Sequence, residues 1–299
     1  MMKHESVMLE EAVEGLAIEE TGVYVDGTFG AGGHSHEILN RLTSGVLYGL
    51  DRDLQVLQNA EKNERLRLRH NNFSDMADVL RADGIQFVNG VLLDLGVSSM
   101  QFDEADRGFS YRFPAELDMR MNQQAVLSAQ EVLQQYSEEK LWYMFSDFGE
   151  IRNAKSLARF IVENRQRKKI QTTEDLIFIA SQRSVGNKMR YLSQVFQAIR
   201  MEVNDEIGEL KRFLESLPEF VKPGGRVVII SFHSLEDRLV KNYFRHGNVD
   251  GKVEKGFYGQ VERPFEMLTK KPLVPSEKEI KHNKRSRSAK MRIGKRMKN

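Results

Sequence analysis

The stretch Val23-Tyr-Val-Asp-Gly-Thr-Phe-Gly-Ala-Gly-Gly-His-Ser-His-Glu-Ile-Leu39 decides how the rest of the chain is read. Val23 and Val25 are β-branched and favour a strand, and Ile38 and Leu39 continue into a helix. Between them, Gly27, Gly30, Gly32 and Gly33 leave bare main chain that a ligand can approach closely. Strand, glycine loop and helix start form the mouth of a pocket in open α/β sheets, although the same trio also serves as an ordinary turn.

The charges around the loop sharpen the reading. Asp26 ends the strand just ahead of the glycines. A dinucleotide site seats a pyrophosphate on the helix N-terminus, and a carboxylate at that entrance repels it. A ligand with positive charge fits better, and S-adenosylmethionine carries both an ammonium and a sulfonium. The next strand, Gly45 to Leu50, ends at Asp51, an acid placed to accept the two ribose hydroxyls of a nucleoside. Asp51 would serve NAD equally well, so it is Asp26 that turns the choice toward S-adenosylmethionine.

Composition sets the frame. A chain of 299 residues is long enough for one large or two modest domains with a real core. Its longest apolar runs, Gly90 to Gly96 and Val227 to Ile230, are strand-sized, far below the roughly 20 residues needed to span a bilayer. No membrane partner is expected. The polar start Met1-Met-Lys-His-Glu5 has no apolar signal region, so a cytoplasmic location is expected. Without a single cysteine there is no disulfide, no thiolate zinc site and no iron–sulfur cluster, and no metal is expected. The same absence argues against methylation of pyrimidine carbon 5, which usually needs a thiolate adduct, and for a nitrogen or oxygen acceptor.

Further βα units follow the first. Asp53 is a candidate cap for the helix of Leu54, Val56 and Leu57, and Leu66, Leu68 and His70 alternate as a third strand. Phe73, at that strand's end, is placed either to stack an adenine or to fill the core. The run Phe87-Val-Asn-Gly-Val-Leu-Leu-Asp94 reads as a buried central strand ending in Asp94. Four strands thus deliver polar or special residues to one sheet edge, where open α/β sheets bind ligands. Ahead of them, Ser6 is the expected cap of a helix carrying Leu9, Val13 and Leu16.

The fifth strand arrives late, at Pro223 to Ser231. The 131 residues between Asp94 and Gly225 far exceed a single crossover helix, so an inserted domain is expected at 103–203, with 1–102 and 204–299 forming a discontinuous sheet domain. The insert reads as all-α. Ser128-Ala-Gln-Glu131 is a capping box, and Ser137 and Thr172 open further helices. Between sheet and insert, Phe109, Tyr111 and Phe113 alternate among Arg107, Arg112 and Arg120, a pattern suited to base stacking and phosphate contact, or to packing. After the fifth strand comes Ser231-Phe-His-Ser-Leu-Glu-Asp-Arg238, with Ser234 as expected cap and His233 at the ligand edge. The segment Gly256 to Thr269 is weakly strand-like. The tail from Lys278 to Asn299 holds one acid among ten lysines and arginines, which suits either a solvated end or nucleic-acid phosphates.

Taken together, Asp26-Gly-Thr-Phe-Gly-Ala-Gly-Gly-His34, Asp94-Leu-Gly-Val-Ser-Ser-Met-Gln101, Gly108-Phe-Ser-Tyr111, Leu117-Asp-Met-Arg-Met121, Val195-Phe-Gln-Ala-Ile-Arg200, Ser231-Phe-His-Ser-Leu-Glu-Asp-Arg238 and Asn283-Lys-Arg-Ser-Arg-Ser-Ala-Lys290 resemble the bacterial MraW/RsmH family, across essentially the whole chain and in the right order. The resemblance implies a class I S-adenosylmethionine-dependent methyltransferase fold, α/β, Rossmann-like and mostly parallel, with an inserted all-α substrate domain. It implies methylation of the exocyclic N4 of a cytidine in 16S ribosomal RNA at the decoding centre of the small subunit, and a homodimer. By position it implies that Gly32, Gly33, His34, Asp51, Phe73, Asp94 and Gln101 contact S-adenosylmethionine. One pattern is missing. Many amino-methyltransferases follow the fourth strand with Pro-Pro and an aromatic, whereas Asp94 here precedes Leu-Gly-Val-Ser-Ser, so the ring that stacks the base comes from elsewhere.

For the reaction, the cytosine amine is a poor nucleophile and needs an acceptor for its proton. Asp94 is the first candidate, with His233 and Ser231 behind it, and pure cofactor binding is the competing role for Asp94. Phe109, Tyr111, Arg112 and Arg120 are the candidate substrate contacts. Two other functions fit parts of the pattern: an NAD-dependent dehydrogenase on a similar sheet, and a non-catalytic RNA-binding ribosome assembly factor.

Overall fold

The computed structural model describes residues 6–97, 105–253 and 263–298. The chain divides into two compact units, Met1–Gly96 with Ile207–Asn299, and Val97–Glu206.

In the first unit, α1 (Leu9–Leu16), β1 (Val23–Asp26), α2 (Gly33–Arg41), β2 (Val46–Asp51), α3 (Leu54–Gln58), β3 (Leu66–His70), α4 (Met76–Ala82) and β4 (Val88–Asp94) follow one another. The apolar strands and capped helices suggested by the sequence form where side-chain alternation and capping favour them. Asp53, for example, caps α3 by accepting from the Gln55 N–H at 3.2 Å.

The second unit is helical and has its own core. It comprises α5 (Ala129–Gln135), α6 (Glu138–Asp147), α7 (Ala154–Arg165), α8 (Thr173–Ser181) and α9 (Lys188–Val203). Ser128 with Glu131 and Thr172 with Asp175 form capping boxes, and Ser137 caps α6. Buried Leu117, Met119, Leu133, Phe145, Leu157 and Ile199 share one apolar cluster.

The chain re-enters the first unit through α10 (Glu206–Phe220) and continues through β5 (Val221–Ser231), α11 (Ser234–His246), β6 (Phe265–Met267), α12 (Glu277–His282) and β7 (Lys290–Arg296). The sheet order is β3-β2-β1-β4-β5-β7-β6. Strands β1 to β5 pair in parallel, and β7 runs antiparallel between β5 and β6. Apolar clusters cover both faces. One brings Val25, Leu93 and Ile229 against Leu214 and Phe244, and the other brings Leu47, Leu92 and Val228 against Val13 and Ile38.

The tail departs from a solvated end. Residues Lys290–Arg296 fill the sheet between β5 and β6, with Met291 fully buried and Ile293 at 8% exposure. Arg292, 4% exposed, forms a forked ion pair with Asp237 of α11 at 2.6 and 3.2 Å. The apolar residues of this segment alternate with basic ones at strand spacing, and the charge run hides that alternation. Of the weakly strand-like Gly256 to Thr269, Phe265–Met267 is the edge strand β6, and 254–262 lie outside the described residues.

Two expected caps also differ. Helix α1 begins after Met8, whose N–H donates to Glu279 Oε1 at 2.9 Å, so a carboxylate from the tail satisfies the helix end that Ser6 was expected to cap. At α11 the cap position is His233, and Ser234 is the first helical residue.

Candidate cofactor and methyl-transfer site

Strand β1 pairs with β2 on one side and β4 on the other, so the strand order reverses between β1 and β4. Ligands of open α/β sheets bind beyond the carboxyl ends of the strands at such a switch point. Here those two ends are Asp26 and Asp94.

The loop after β1 is tied to its neighbours by backbone bonds. Gly27 N–H donates to the Leu92 carbonyl and Phe29 N–H to the Leu50 carbonyl, each at 2.9 Å. Asp94 N–H donates to Thr28 Oγ1 at 2.7 Å, which couples the two strand ends. Gly32 caps α2 at φ +78, a left-handed conformation that suits glycine, and a Cβ there would press on the Phe29 ring. The ladder of α2 opens with His36 N–H donating to the Gly32 carbonyl, so the N–H groups of Gly33, His34 and Ser35 precede it, as at any helix start. Ser6 Oγ occupies the space into which a Cβ on Gly33 would project.

Asp51 closes the other side of the loop. Its Oδ2 accepts from Gly30 N–H and its Oδ1 from Asp53 N–H, both at 2.9 Å. Each oxygen keeps a second lone pair for a ligand hydroxyl. Burial raises its pKa, and the two N–H donors hold it down.

The acids at the switch point form a group. Asp26 is fully buried, accepts from Ser35 Oγ at 2.7 Å and from Thr28 N–H at 3.2 Å, and is pushed up to about 6 by burial. Asp94 Oδ1 is buried without a hydrogen-bond partner among the described residues. Burial first, and then the carboxylates of Asp26, Glu236 and Glu279, push the Asp94 pKa well above its ordinary value. Glu236 is 2% exposed and accepts from the N–H groups of Phe232 and His233 at 2.9 and 3.1 Å. Carboxylates gathered in this way with an oxygen left over favour a cation among them.

The other sequence-derived candidates fall into distinct places. The His34 ring sets Nε2 3.0 Å from the Val7 carbonyl, which turns the imidazole to the N-terminal segment. Phe73 is 7% exposed and meets Phe213 edge-on at 5.6 Å, so of its two readings the ring takes the one that packs the core. Ser231 is buried, and its hydroxyl donates to the Lys290 carbonyl at 3.2 Å, in the β5–β7 seam. His233 is half-buried at the start of α11. Gln101 lies outside the described residues.

The four substrate candidates belong to the helical unit. Phe109 is 5% exposed, lies in its core and carries the Arg107 guanidinium over its ring, and Arg120 grips Asp118 in a fork at 2.7 and 2.8 Å while donating to the Ala125 carbonyl. Both serve the fold of that unit, the packing alternative that the pattern of aromatics and arginines left open. Tyr111 is half-buried against Phe196, and Arg112 is exposed. Glu279 was not a sequence candidate. Its place beside Asp94 depends on a contact with Met8, 271 positions away, for which no local signal exists.

The sheet order with its reversed β7, the glycine loop and the acidic strand ends define a class I methyltransferase. Residues 1–297 match the profile of the MraW methylase family, and the chain belongs to that family. It is 49% identical over 297 residues to the "Ribosomal RNA small subunit methyltransferase H" of Flavobacterium johnsoniae, covering 98% of this chain and 97% of that protein. With the protein of the same name from Christiangramia forsetii it shares 48% identity over 299 residues, covering 99% of each. A dehydrogenase and a non-catalytic assembly factor have no support among these relatives. Among the described residues, no helix is long and apolar enough to cross a membrane, and no group of three potential ligands could hold a metal ion.

Proposed function

We propose that the chain transfers a methyl group from S-adenosylmethionine to the exocyclic N4 of a cytidine in 16S ribosomal RNA, at the decoding centre of the small subunit. The observation that carries the reading is Asp94, with its unpartnered buried Oδ1 among the carboxylates of Asp26, Glu236 and Glu279 at the switch point of a class I sheet. A ligand with two cationic groups relieves that concentration of negative charge, and the names of the relatives support ribosomal RNA as acceptor.

The residues present fit this cofactor. Asp51 would take the ribose hydroxyls, the main chain of Gly32, Gly33 and His34 would line the cradle, and Phe73 would contribute an apolar wall from the core. Gln101 belongs to the same proposed set. When bound, S-adenosylmethionine supplies a methyl carbon made electrophilic by its sulfonium leaving group. The protein's part is to position the amine in line, exclude water and receive a proton.

Asp94 is suited to that last task because its surroundings raise its proton affinity, the property a general base needs. His233 and Ser231 stand behind it at the same sheet edge. On the substrate side, Tyr111 and Arg112 are the proposed contacts, with Phe109 and Arg120 shaping the segment that presents them. The proposal extends to a cytoplasmic enzyme that forms homodimers.

The test is incorporation of labelled methyl into small ribosomal subunits that lack the modification. N4-methylcytidine is the expected product. Absence of incorporation by a folded, cofactor-binding protein would point to an assembly factor, and tighter calorimetric binding of NAD than of S-adenosylmethionine would overturn the cofactor. Asp94→Asn should lower turnover more than cofactor affinity, and equal losses would reduce Asp94 to a binding residue.

A further inference from the structure

We infer that the tail serves two purposes along its length, and that the turn just before β7 is a rigid phosphate-binding rim at the mouth of the site, built to hold the backbone of the RNA substrate. This rests on the reading of the chain as an RNA methyltransferase. The position follows from register. Lys290, the first residue of β7, pairs with Ser231, the last residue of β5, so the segment preceding Lys290 emerges at the carboxyl edge of the parallel strands. Its other end is fixed at the same edge, where Glu279 accepts the Met8 N–H and adds its charge to the field on Asp94. Residues 279–290 therefore run beside the acidic switch point.

The segment is held firmly. Asn283 Oδ1 accepts from Arg285 N–H at 3.2 Å, and Ser286, fully buried, donates its hydroxyl to the Asn283 carbonyl at 2.8 Å. Ala289 is buried at 1% exposure. This 3₁₀ turn, Lys284–Ser288, points its serine inward and leaves Lys284 and Arg287 exposed, as is Lys281 on the preceding α12. None of Lys281, Lys284 and Arg287 has an ion-pair partner among the described residues. The contrast with β7 is sharp: Arg292, a few residues on, is buried and paired with Asp237. Cations kept unpaired on a rigid turn beside an acidic pocket separate two jobs. The pocket takes a cationic cofactor, and the rim takes an anionic backbone, whose phosphates the acids alone would repel.

The experiment is equilibrium binding of small ribosomal subunits by the full chain and by the triple variant Lys281→Gln, Lys284→Gln, Arg287→Gln, at several salt concentrations. Each phosphate contact contributes a slope of about 0.7 to 0.9 in log affinity against log salt, so losing three should make the slope shallower by about 2 to 3. S-adenosylmethionine affinity and melting temperature should stay at the wild-type values, because none of the three side chains is buried. A single Arg287→Glu variant should weaken binding further than Arg287→Gln. An unchanged slope in a folded, cofactor-binding triple variant would overturn the rim. Failure of the underlying reading gives a different result, since wild-type protein would then incorporate no methyl into RNA whatever its salt slope.

Discussion

Cofactor affinity should depend on pH through the buried acids, and the sign follows from their environment. Asp26, held at about 6 against an ordinary 3.8, favours its protonated form by roughly 3 kcal/mol relative to an exposed aspartate. Its folded-state value is raised, so the stability it contributes is fully present below about pH 4 and is lost as pH rises through about 6. A cationic ligand favours the ionised form and must displace the proton at low pH. Affinity for S-adenosylmethionine should therefore rise with pH, by about tenfold between pH 5 and 7 from Asp26 alone. Asp94, also raised, by burial and by the carboxylates of Asp26, Glu236 and Glu279, should steepen the rise. Isothermal titration calorimetry across pH 5 to 8, repeated in buffers of different ionisation enthalpy, measures both the affinity and the protons released. In Asp26→Asn, one titration should vanish, and the ligand-free protein should gain stability above pH 6 relative to wild type. Affinity that is flat or increases as pH falls from 7 to 5 would refute the electrostatic basis of the site.

Two further perturbations separate the units. Truncation after Glu277 removes β7, and with it buried Met291 and Ile293, each stabilising by about 1.5 to 3 kcal/mol, and buried Arg292, whose ion pair with half-buried Asp237 contributes up to about 3 to 5. That total rivals the roughly 5 to 15 kcal/mol that holds a domain together, so the sheet unit should fail to fold and S-adenosylmethionine binding should be lost; a truncated chain that binds it normally would refute the placement of β7. In the helical unit, Gly108 sits at φ +71 and a Cβ there would strike the Glu116 carbonyl. Gly108→Ala should destabilise that unit by roughly 2 to 5 kcal/mol, followed by the fluorescence of Trp142, the chain's single tryptophan, with the sheet unit's cofactor affinity as the control.

Elements whose causes are local can be read from the order of residues alone. The strand, glycine loop and helix around Asp26, the acids that end β1, β2 and β4, the capping boxes at Ser128 and Thr172, and the overlong interval after Asp94 are all legible because propensity, capping and spacing act over a few residues. The motif series carried the family in the same way. Tertiary structure decided what depends on residues far apart in the chain. Phe73 has the same sequence context whether it faces a ligand or packs on Phe213, and only the arrival of α10 places it in the core. Arg120 looks like a phosphate contact until Asp118 and the Ala125 carbonyl are found in its grip. A strongly basic tail becomes an interior strand because β5 needs an antiparallel partner and Asp237 of α11 neutralises Arg292. Asp94 in turn acquires its raised proton affinity from Glu236 and Glu279, which the fold brings to it from more than a hundred residues away. Burial and charge proximity are properties of the assembled sheet, and no local pattern encodes them.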